Sequence, residues 1–195
     1  PYIMPGFSVA KKAKEVFEQN TDVEGLILLK HGIFSFGETA REGYERMIEM
    51  VSLAEAEIDK RKSRSFSSVE IPTQLASVSE IAPILRGLCA MEIGLNTQRL
   101  VMDFRTNETI LNYVAGADLG RYSQQGTVTP DHVIRTKPNP LVTPSPKAGK
   151  LEEFTAEARA SVENYIAEYH AYFARNNKTQ AVLKIELDPM PRVIL

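Results

Sequence analysis

Apolar side chains in the first thirty residues show first helical and then strand-like spacing. Ser8 can cap a helix whose apolar positions share one face, and Asn20 and Asp22 mark its end; those positions are Val9, Ala13, Val16 and Phe17. The run Leu26 to Lys30 that follows is apolar up to its final lysine. Such a run predicts a strand buried in a sheet that is covered on both faces.

A long amphipathic helix is predicted after Gly37. Thr39 and Glu42 have the T-x-x-E spacing of a capping box, which marks a helix start. The apolar stripe of this helix comprises Tyr44, Met47, Ile48, Val51, Ala54 and Ile58. The helix ends in DKRKSRSFSS, a basic and serine-rich stretch that indicates a linker, although its charges also suit a solvated helix end.

The second part of the chain again mixes helices and strands. Residues 77–93 predict a helix, and RLVMDF at 99–104 predicts a strand. NETILNYVAGADLGRYSQQG predicts two short helices broken at Gly116, and the proline-rich residues 138–149 predict an extended connector. A regular apolar stripe predicts a long helix from Leu151 to about Asn176. AVLKIEL then predicts a strand, and RVIL begins another.

Strands that alternate with helices predict an α/β fold with layers in the order α/β/α. We expect a partial first domain over residues 1–62, a linker at 63–76 and a second, related α/β unit at 77–195. Both ends of the sequence, PYIMPGF and DPMPRVIL, begin or stop within an element. We therefore expect the chain to be an excerpt of a longer protein.

Composition excludes several classes of protein. The 195 residues are 43% apolar and 25% charged with a net charge of -2, which is typical of a globular protein and gives no sign of a nucleic-acid partner. The one cysteine, Cys89, is expected in the core, and a chain without a possible internal disulfide fits a reducing cytoplasm. No apolar run approaches the length of a membrane helix, so we expect no membrane partner.

Three histidines are present, and only His31 lies at the end of a predicted buried strand. Gly32 follows it directly and allows a sharp turn, which would point the imidazole beyond the sheet edge. Neutral imidazole is the commonest metal ligand in proteins, but an ordinary surface histidine at a strand end is equally compatible with this spacing. His170 lies beside the stripe of the long helix and is expected to be structural.

The segment TPDHVIRTK, residues 129–137, holds a second group of candidate residues. Thr129 to Asp131 is a natural turn, and His132 and Arg135 would share one face of a short helix with Lys137 nearby. Such a cationic cluster can bind a carboxylate or a phosphate of a substrate. A structural turn with solvated charges remains the alternative.

The stretch LILLKHGIFSFGETAREGYERMIEMVSLAEAEI resembles the C-terminal half of the class II aldolase/adducin domain. In that family a buried strand ends in a His-Gly pair whose histidine binds the catalytic zinc, and by its place in the motif this ligand corresponds to His31. The resemblance also implies a His-x-His pair and an acidic catalytic residue upstream, and neither His-x-His nor the family's phosphate-binding loops occur here. Tyr44 is expected in the core and not in catalysis.

LRG, the DF pair, ILNYV and TPDHVIRTKPNPL are similar to the region that follows the aldolase domain in bifunctional class II aldolase/short-chain dehydrogenase proteins. The closing LDPMPRVIL resembles the stretch before their dehydrogenase half. The chain has no G-x-G-x-x-G loop and no Tyr-x-x-x-Lys pair. NAD is therefore implied only through a domain that these residues do not contain.

The resemblance implies a fragment of a zinc-dependent lyase that cleaves a ketose phosphate such as rhamnulose 1-phosphate. In the parent protein it would be fused to a short-chain dehydrogenase, and the segment by itself is expected to be inactive. We expect a cytoplasmic homo-oligomer. The alternative is a non-catalytic, adducin-like assembly module.

Overall fold

A computed structural model describes residues 6–29, 31–60, 69, 73–179 and 182–195 of the chain. The helices are α1 Phe7–Gln19, α2 Ala40–Lys60, α3 Val78–Leu88, α4 Glu108–Val114, α5 Leu119–Tyr122, α6 Pro130–Thr136 and α7 Leu151–Asn177. The strands are β1 Gly25–Leu28, β2 Gly32–Ser35, β3 Met91–Ile93 and β4 Asn96–Gln98. The α/β class predicted from the alternation of elements is confirmed.

The contacts divide the chain into two compact units, each described here by itself. Unit 1 comprises Pro1–Ser65 with Val128–Asp131, and unit 2 comprises Phe66–Thr127 with His132–Leu195. Most of the predicted linker, residues 63–76, lies outside the described residues. No described helix is long and apolar enough to cross a membrane.

In unit 1, β1 and β2 form an antiparallel hairpin in which Gly25 faces Ser35 and Leu28 faces Gly32. The prediction of a strand buried on both faces at residues 26–30 is wrong, because Ile27 is 77% exposed. Successive side chains of a strand point to opposite faces, so Ile27 lies on the other side of β1 from its half-buried neighbours Leu26 and Leu28. Lys30 lies outside the described residues.

Both helices of unit 1 begin close to their predicted starts. α2 begins directly after Thr39, whose hydroxyl accepts a hydrogen bond from the Glu42 N–H at 3.2 Å, as a capping box requires. The Glu42 carboxylate accepts from the Glu38 N–H at 2.9 Å instead of from Thr39. α1 begins at Phe7, so Ser8 lies within its first turn and is not the cap.

Gly25 of β1 lies against Phe34 of β2 and Met50 of α2 without room for a side chain. A Cβ at this position would lie 2.4 Å from the Phe34 carbonyl oxygen and 2.5 Å from the Met50 methyl group. We expect Gly25→Ala to destabilise unit 1 by about 1–3 kcal/mol, because Met50 can rotate away but the backbone oxygen cannot. Urea unfolding followed by circular dichroism would measure this loss. Gly120→Ala is the control, since nothing lies within 4 Å of its Cβ position, and an equal loss in both variants would contradict the close approach.

Unit 2 is built on α3 and α7. Ser77 and Glu80 form a complete capping box at the start of α3. α7 spans the predicted long helix and buries Phe154, Ala158, Val162 and Tyr165 at helical spacing. These side chains pack in two clusters, one with Leu85 of α3 and one with Cys89, Leu141 and Met190. The two short helices predicted around Gly116 are confirmed as α4 and α5.

Three secondary-structure predictions for unit 2 are wrong. The helix predicted over 77–93 ends at Leu88, because residues 91–93 pair with 96–98 across Gly94, whose φ is +62°. Residues 99–104 and the described part of AVLKIEL, 182–187, form no ladder in the described chain. An apolar run becomes a strand only where a partner strand lies beside it, and these two runs have none within the described ranges. The final residues RVIL do have a partner, because Ile194 forms a parallel bridge with Leu141.

Candidate functional site

His31 lies in the tight turn between β1 and β2. Its N–H donates to the Leu28 carbonyl at 2.9 Å, and its side chain is half-buried. Gly32 has a φ of +136°, a conformation that side-chain-bearing residues rarely adopt. The backbone of the turn therefore requires glycine at position 32, and this turn fixes where the His31 side chain leaves the hairpin.

The loop between β2 and α2 is held by Arg46. Its Nη1 donates to the Phe36 carbonyl at 2.8 Å, while ion pairs join the guanidinium to Glu42 at 2.7 Å and to Glu24 at 3.7 Å. The Ser35 hydroxyl donates to the Gly43 carbonyl at 2.7 Å. Through these contacts Arg46 holds together the residues before β1, the loop after β2 and the first turns of α2, which flank the β1–β2 hairpin.

A shallow hollow of about 440 Å³ lies along this loop. Its lining runs from Ser35 to Ala40 and continues on α2 with Gly43, Tyr44 and Met47. Tyr44 was expected in the core, but it is 67% exposed. In the described part of unit 1 this tyrosine is thus a surface residue beside the hollow.

The donor set needed for a metal is incomplete in the described residues. Within them, no three His, Cys, Asp or Glu side chains lie close enough together to hold an ion. A catalytic zinc usually has three protein ligands, so the residues present do not fit a complete zinc site. His31 can contribute one ligand at most, and its assignment as a ligand stays a prediction.

His132 and Arg135 lie on α6, as the sequence predicts, and both are exposed. Lys137 follows the end of that helix with a φ of +66°, the left-handed conformation that often closes a helix and usually belongs to glycine. It is only 5% exposed. Lys137 is therefore buried, whereas His132 and Arg135 are exposed, although the three residues are close in sequence.

The Lys137 ammonium is used inside unit 2. Its Nζ donates to the Asp188 carbonyl oxygen and lies 4.1 Å from the centroid of the Tyr169 ring, a cation–π contact. Burial is the main cause that lowers the pKa of Lys137, and Arg192 adds to it. These contacts link the end of α6, the middle of α7 and the C-terminal segment. The prediction that Lys137 binds substrate stays a prediction.

Asp188 and Arg192 form a second polar pair that the sequence analysis did not identify. Arg192 Nη2 lies 2.6 Å from Asp188 Oδ2. Burial would raise the pKa of Asp188, but the hydrogen bond and the charge of Arg192 together lower it. The four-residue spacing of DPMPR was the signal available in the sequence, where LDPMPRVIL was interpreted only by its resemblance to the stretch before a dehydrogenase half.

A cavity of about 230 Å³ lies between α7 and the residues that follow Lys137. Its lining comprises Pro138, Asn139, Tyr165, Glu168, Tyr169, Ala171, Tyr172 and Arg175. In the sequence this part of α7 was identified only as a regular apolar stripe. Three tyrosines at helical spacing, followed by an arginine, were the signal that could have indicated a polar side to that stripe.

Because of Tyr165, we expect the stability of unit 2 to fall as the pH becomes alkaline. Its hydroxyl donates to the Asn139 carbonyl at 3.1 Å, and burial raises its pKa to about 12. The folded state therefore keeps this proton between pH 10 and about 12, where the unfolded chain loses it, so this contribution is complete below pH 10 and is lost as pH rises through that window.

We expect Tyr165→Phe to be less stable than the wild type by about 1 kcal/mol at pH 7, because the hydrogen bond is lost. Between pH 10 and pH 12 the wild type alone loses roughly 1.4 kcal/mol per pH unit, so the difference should vanish near pH 11 and be reversed at about pH 12. Urea unfolding at a series of pH values would measure both effects. Tyr172→Phe is the control, because the Tyr172 hydroxyl makes no hydrogen bond to any described residue. A constant difference between wild type and Tyr165→Phe from pH 8 to pH 12 would contradict the assignment.

Comparison with known proteins follows the same division of the chain. Residues 1–58 match the model of the "Class II Aldolase and Adducin N-terminal domain", and residues 76–195 match that of "Aldolase class II, second domain". The chain belongs to the class II aldolase family. Its α/β fold is thus class II aldolase-like, and the family is generally zinc-dependent. His31 lies in the region matched by the first model, and Lys137 lies in the region matched by the second.

One curated relative is an "Uncharacterized oxidoreductase YuxG" of Bacillus subtilis (strain 168), 26% identical over 203 residues. The alignment covers all of this chain but only 28% of the relative. No solved structure matches the chain. This class II aldolase sequence is thus similar to a part of a larger oxidoreductase.

Proposed function

We propose that this chain is part of a metal-dependent class II aldolase that cleaves a ketose phosphate such as rhamnulose 1-phosphate. The observation that carries the proposal is the succession of two class II aldolase family matches, at 1–58 and 76–195, along nearly the whole chain. The reaction is a retro-aldol cleavage, in which a carbon–carbon bond breaks next to a carbonyl group. By itself the segment would be inactive, since it lacks most of the residues that the reaction needs.

The parent protein would also contain a short-chain dehydrogenase. The relative with the word oxidoreductase in its name is more than three times as long as the aligned region, which supports a further domain of this kind. NAD would bind only to that domain. A reducing, cytoplasmic location is part of the proposal, and the free, buried Cys89 is compatible with it.

His31 would supply one zinc ligand in the intact site. The support for this role is local: the His31 N–H is bonded to the Leu28 carbonyl, and the positive φ of Gly32 closes the turn, so the backbone position of His31 is fixed. The other ligands, a His-x-His pair, and an acidic catalytic residue would come from outside these 195 residues.

His132 and Arg135 would bind the phosphate of the substrate. They are exposed and three residues apart on α6, so both can reach one anion. Lys137 is included in the proposed binding set, but its support is weaker, since its Nζ is bonded to Asp188. A direct role would require that bond to break.

The test is an assay of the complete parent polypeptide with rhamnulose 1-phosphate, in which the release of the triose phosphate and the aldehyde is measured. Rhamnulose without its phosphate is the matched control substrate. Cleavage of the carbon–carbon bond of rhamnulose 1-phosphate, with loss of this activity after chelation, would support the proposal. Absence of cleavage by a zinc-loaded protein would overturn this substrate, and equal cleavage of both sugars would overturn phosphate recognition.

An adducin-like assembly module is the second candidate, and one observation favours it. The apolar stripe of α2 is uncovered in unit 1, with Tyr44, Ile48 and Ile58 exposed by 67%, 49% and 65%. Exposed apolar stripes of this extent mark surfaces that bind protein. A complete protein that forms a homo-oligomer but contains no zinc and cleaves no sugar phosphate would favour the module over the enzyme.

A further inference from the structure

The described C-terminal segment contains an apolar run that no described residue of unit 2 covers. Residues 182–187, VLKIEL, belong to no helix and to no ladder. Leu183, Ile185 and Leu187 are exposed by 72%, 93% and 65%. These three residues alternate with Lys184 and Glu186, which is the spacing of a strand with one apolar and one charged face.

One edge of this segment is already bonded to α7. The Lys184 N–H donates to Asn177 Oδ1 at 2.8 Å, and Asn177 Nδ2 donates to the Lys184 carbonyl at 3.1 Å. At Lys184 the Asn177 side chain thus makes the two backbone hydrogen bonds that a neighbouring strand would otherwise make. Glu186 is held on the same helix by His170, whose Nδ1 lies 2.8 Å from Glu186 Oε1.

The opposite edge has no such partner in the part of the chain that the structure describes. In an extended chain, the backbone groups of successive residues point to opposite edges, so those of Leu183, Ile185 and Leu187 would point away from Asn177. Within the described residues, no hydrogen bond involves the backbone of these three residues. An exposed strand edge with apolar side chains is a template for pairing with another strand.

We propose that this edge pairs with the same edge of a second copy of the chain, in an antiparallel arrangement centred on Ile185. Leu183 would then lie opposite the partner's Leu187, and Lys184 would lie opposite the partner's Glu186. The two-fold axis repeats each pair, so two Lys–Glu pairs form on one face and a continuous apolar strip forms on the other. The inference does not depend on the proposed reaction.

The pairing is selective because the sequence LKIEL is self-complementary in this register. A shift by two residues would remove the central Ile–Ile pair and both Lys–Glu pairs. The backbone groups that the pairing needs, at residues 183, 185 and 187, are those without a partner, while those of Lys184 are already bonded. Five residues per strand bury less than the roughly 1,200 Å² of a stable interface, so we expect a micromolar dimer.

Sedimentation equilibrium of the 195-residue chain from about 1 to 100 μM is the test. The expected result is a concentration-dependent mass that approaches twice the 21.8 kDa of one chain. Ile185→Asp, which would place two carboxylates face to face at the centre, should abolish association. Leu95→Asp is the matched control, because Leu95 is fully exposed in the β3–β4 turn of the same unit. A chain that stays monomeric at about 100 μM would overturn the proposal.

A charge exchange tests the register. Lys184→Glu and Glu186→Lys should each raise the dimer dissociation constant about tenfold or more, since each creates two like-charge pairs across the interface. The double variant with both substitutions should restore the wild-type constant, because it exchanges the two charges without removing the pairs. A dimer that tolerates both single variants, or that the double variant fails to restore, would place the interface elsewhere and overturn the pairing.

Discussion

Under the proposed function, replacing His31 with alanine in the complete parent protein is expected to abolish zinc binding and to lower kcat/KM for a ketose phosphate at least about 100-fold. Loss of a residue that only orients a ligand already costs about 10–100-fold in metal affinity or activity, and loss of the ligand itself should cost more. The substitution keeps the backbone N–H that bonds to Leu28, so the turn should be retained. Elemental analysis of zinc per chain and steady-state kinetics on the same sample would measure both effects.

His170→Ala is the control for this experiment, because His170 lies on α7 and contacts Glu186. It should retain both zinc and activity. Circular dichroism of each variant separates loss of the ligand from loss of the fold. A folded His31→Ala protein with wild-type zinc content would remove His31 from the metal site, even if the protein proved to be an aldolase.

Replacing Phe154 with alanine is expected to lower the free energy of unfolding of unit 2 by about 3–5 kcal/mol. Phe154 is 3% exposed and packs with Leu85 of α3 and with Ala158, which is completely buried. This cluster is a main contact between α3 and α7, so the space left by the ring cannot be filled without a movement of one of these helices. A loss of this size is a large part of the stability of an ordinary domain.

Urea unfolding of the two proteins would measure the difference. Phe104→Ala is the matched control, since Phe104 is 60% exposed in the same unit. Its substitution should change the free energy of unfolding by less than about 0.5 kcal/mol. A similar, small loss in both variants would mean that the α3–α7 contact contributes little to the fold.

The long helices were predictable because their own side chains define them. Phe154, Ala158, Val162 and Tyr165 recur at helical spacing, and all four are buried in α7. The start of α2 was equally predictable, because Thr39 bonds to a backbone N–H three residues away. Local signals of this kind do not depend on where the rest of the chain lies.

The strands were less predictable, because a strand depends on a partner that the local sequence does not identify. The apolar spacing of Leu26 to Leu28 indicated a strand correctly, but not that the hairpin leaves Ile27 exposed. Residues 99–104 have the composition of a strand without a ladder in the described chain. Burial and pairing are tertiary properties, and they outweigh propensity in such short runs.

The same limit applies to the candidate residues. The His31–Gly32 turn could be predicted, because a single glycine explains its backbone. The burial of Lys137 could not be predicted. It results from the left-handed backbone conformation of Lys137 after α6 and from its contacts with Tyr169 and Asp188, which are far away in sequence. Arg46 was also missed, although its four-residue spacing from Glu42 was a signal for an ion pair on α2.

Because Cys89 is buried, the reactivity of its thiol reports when this part of unit 2 opens. It is the single thiol in the sequence, it is 5% exposed, and it lies in the cluster that joins α7 to the C-terminal segment. Burial also raises the pKa of the thiol, so little reactive thiolate forms while the cluster is closed. The rate at which a thiol reagent labels the native chain therefore measures how often this part of unit 2 opens, without any added probe.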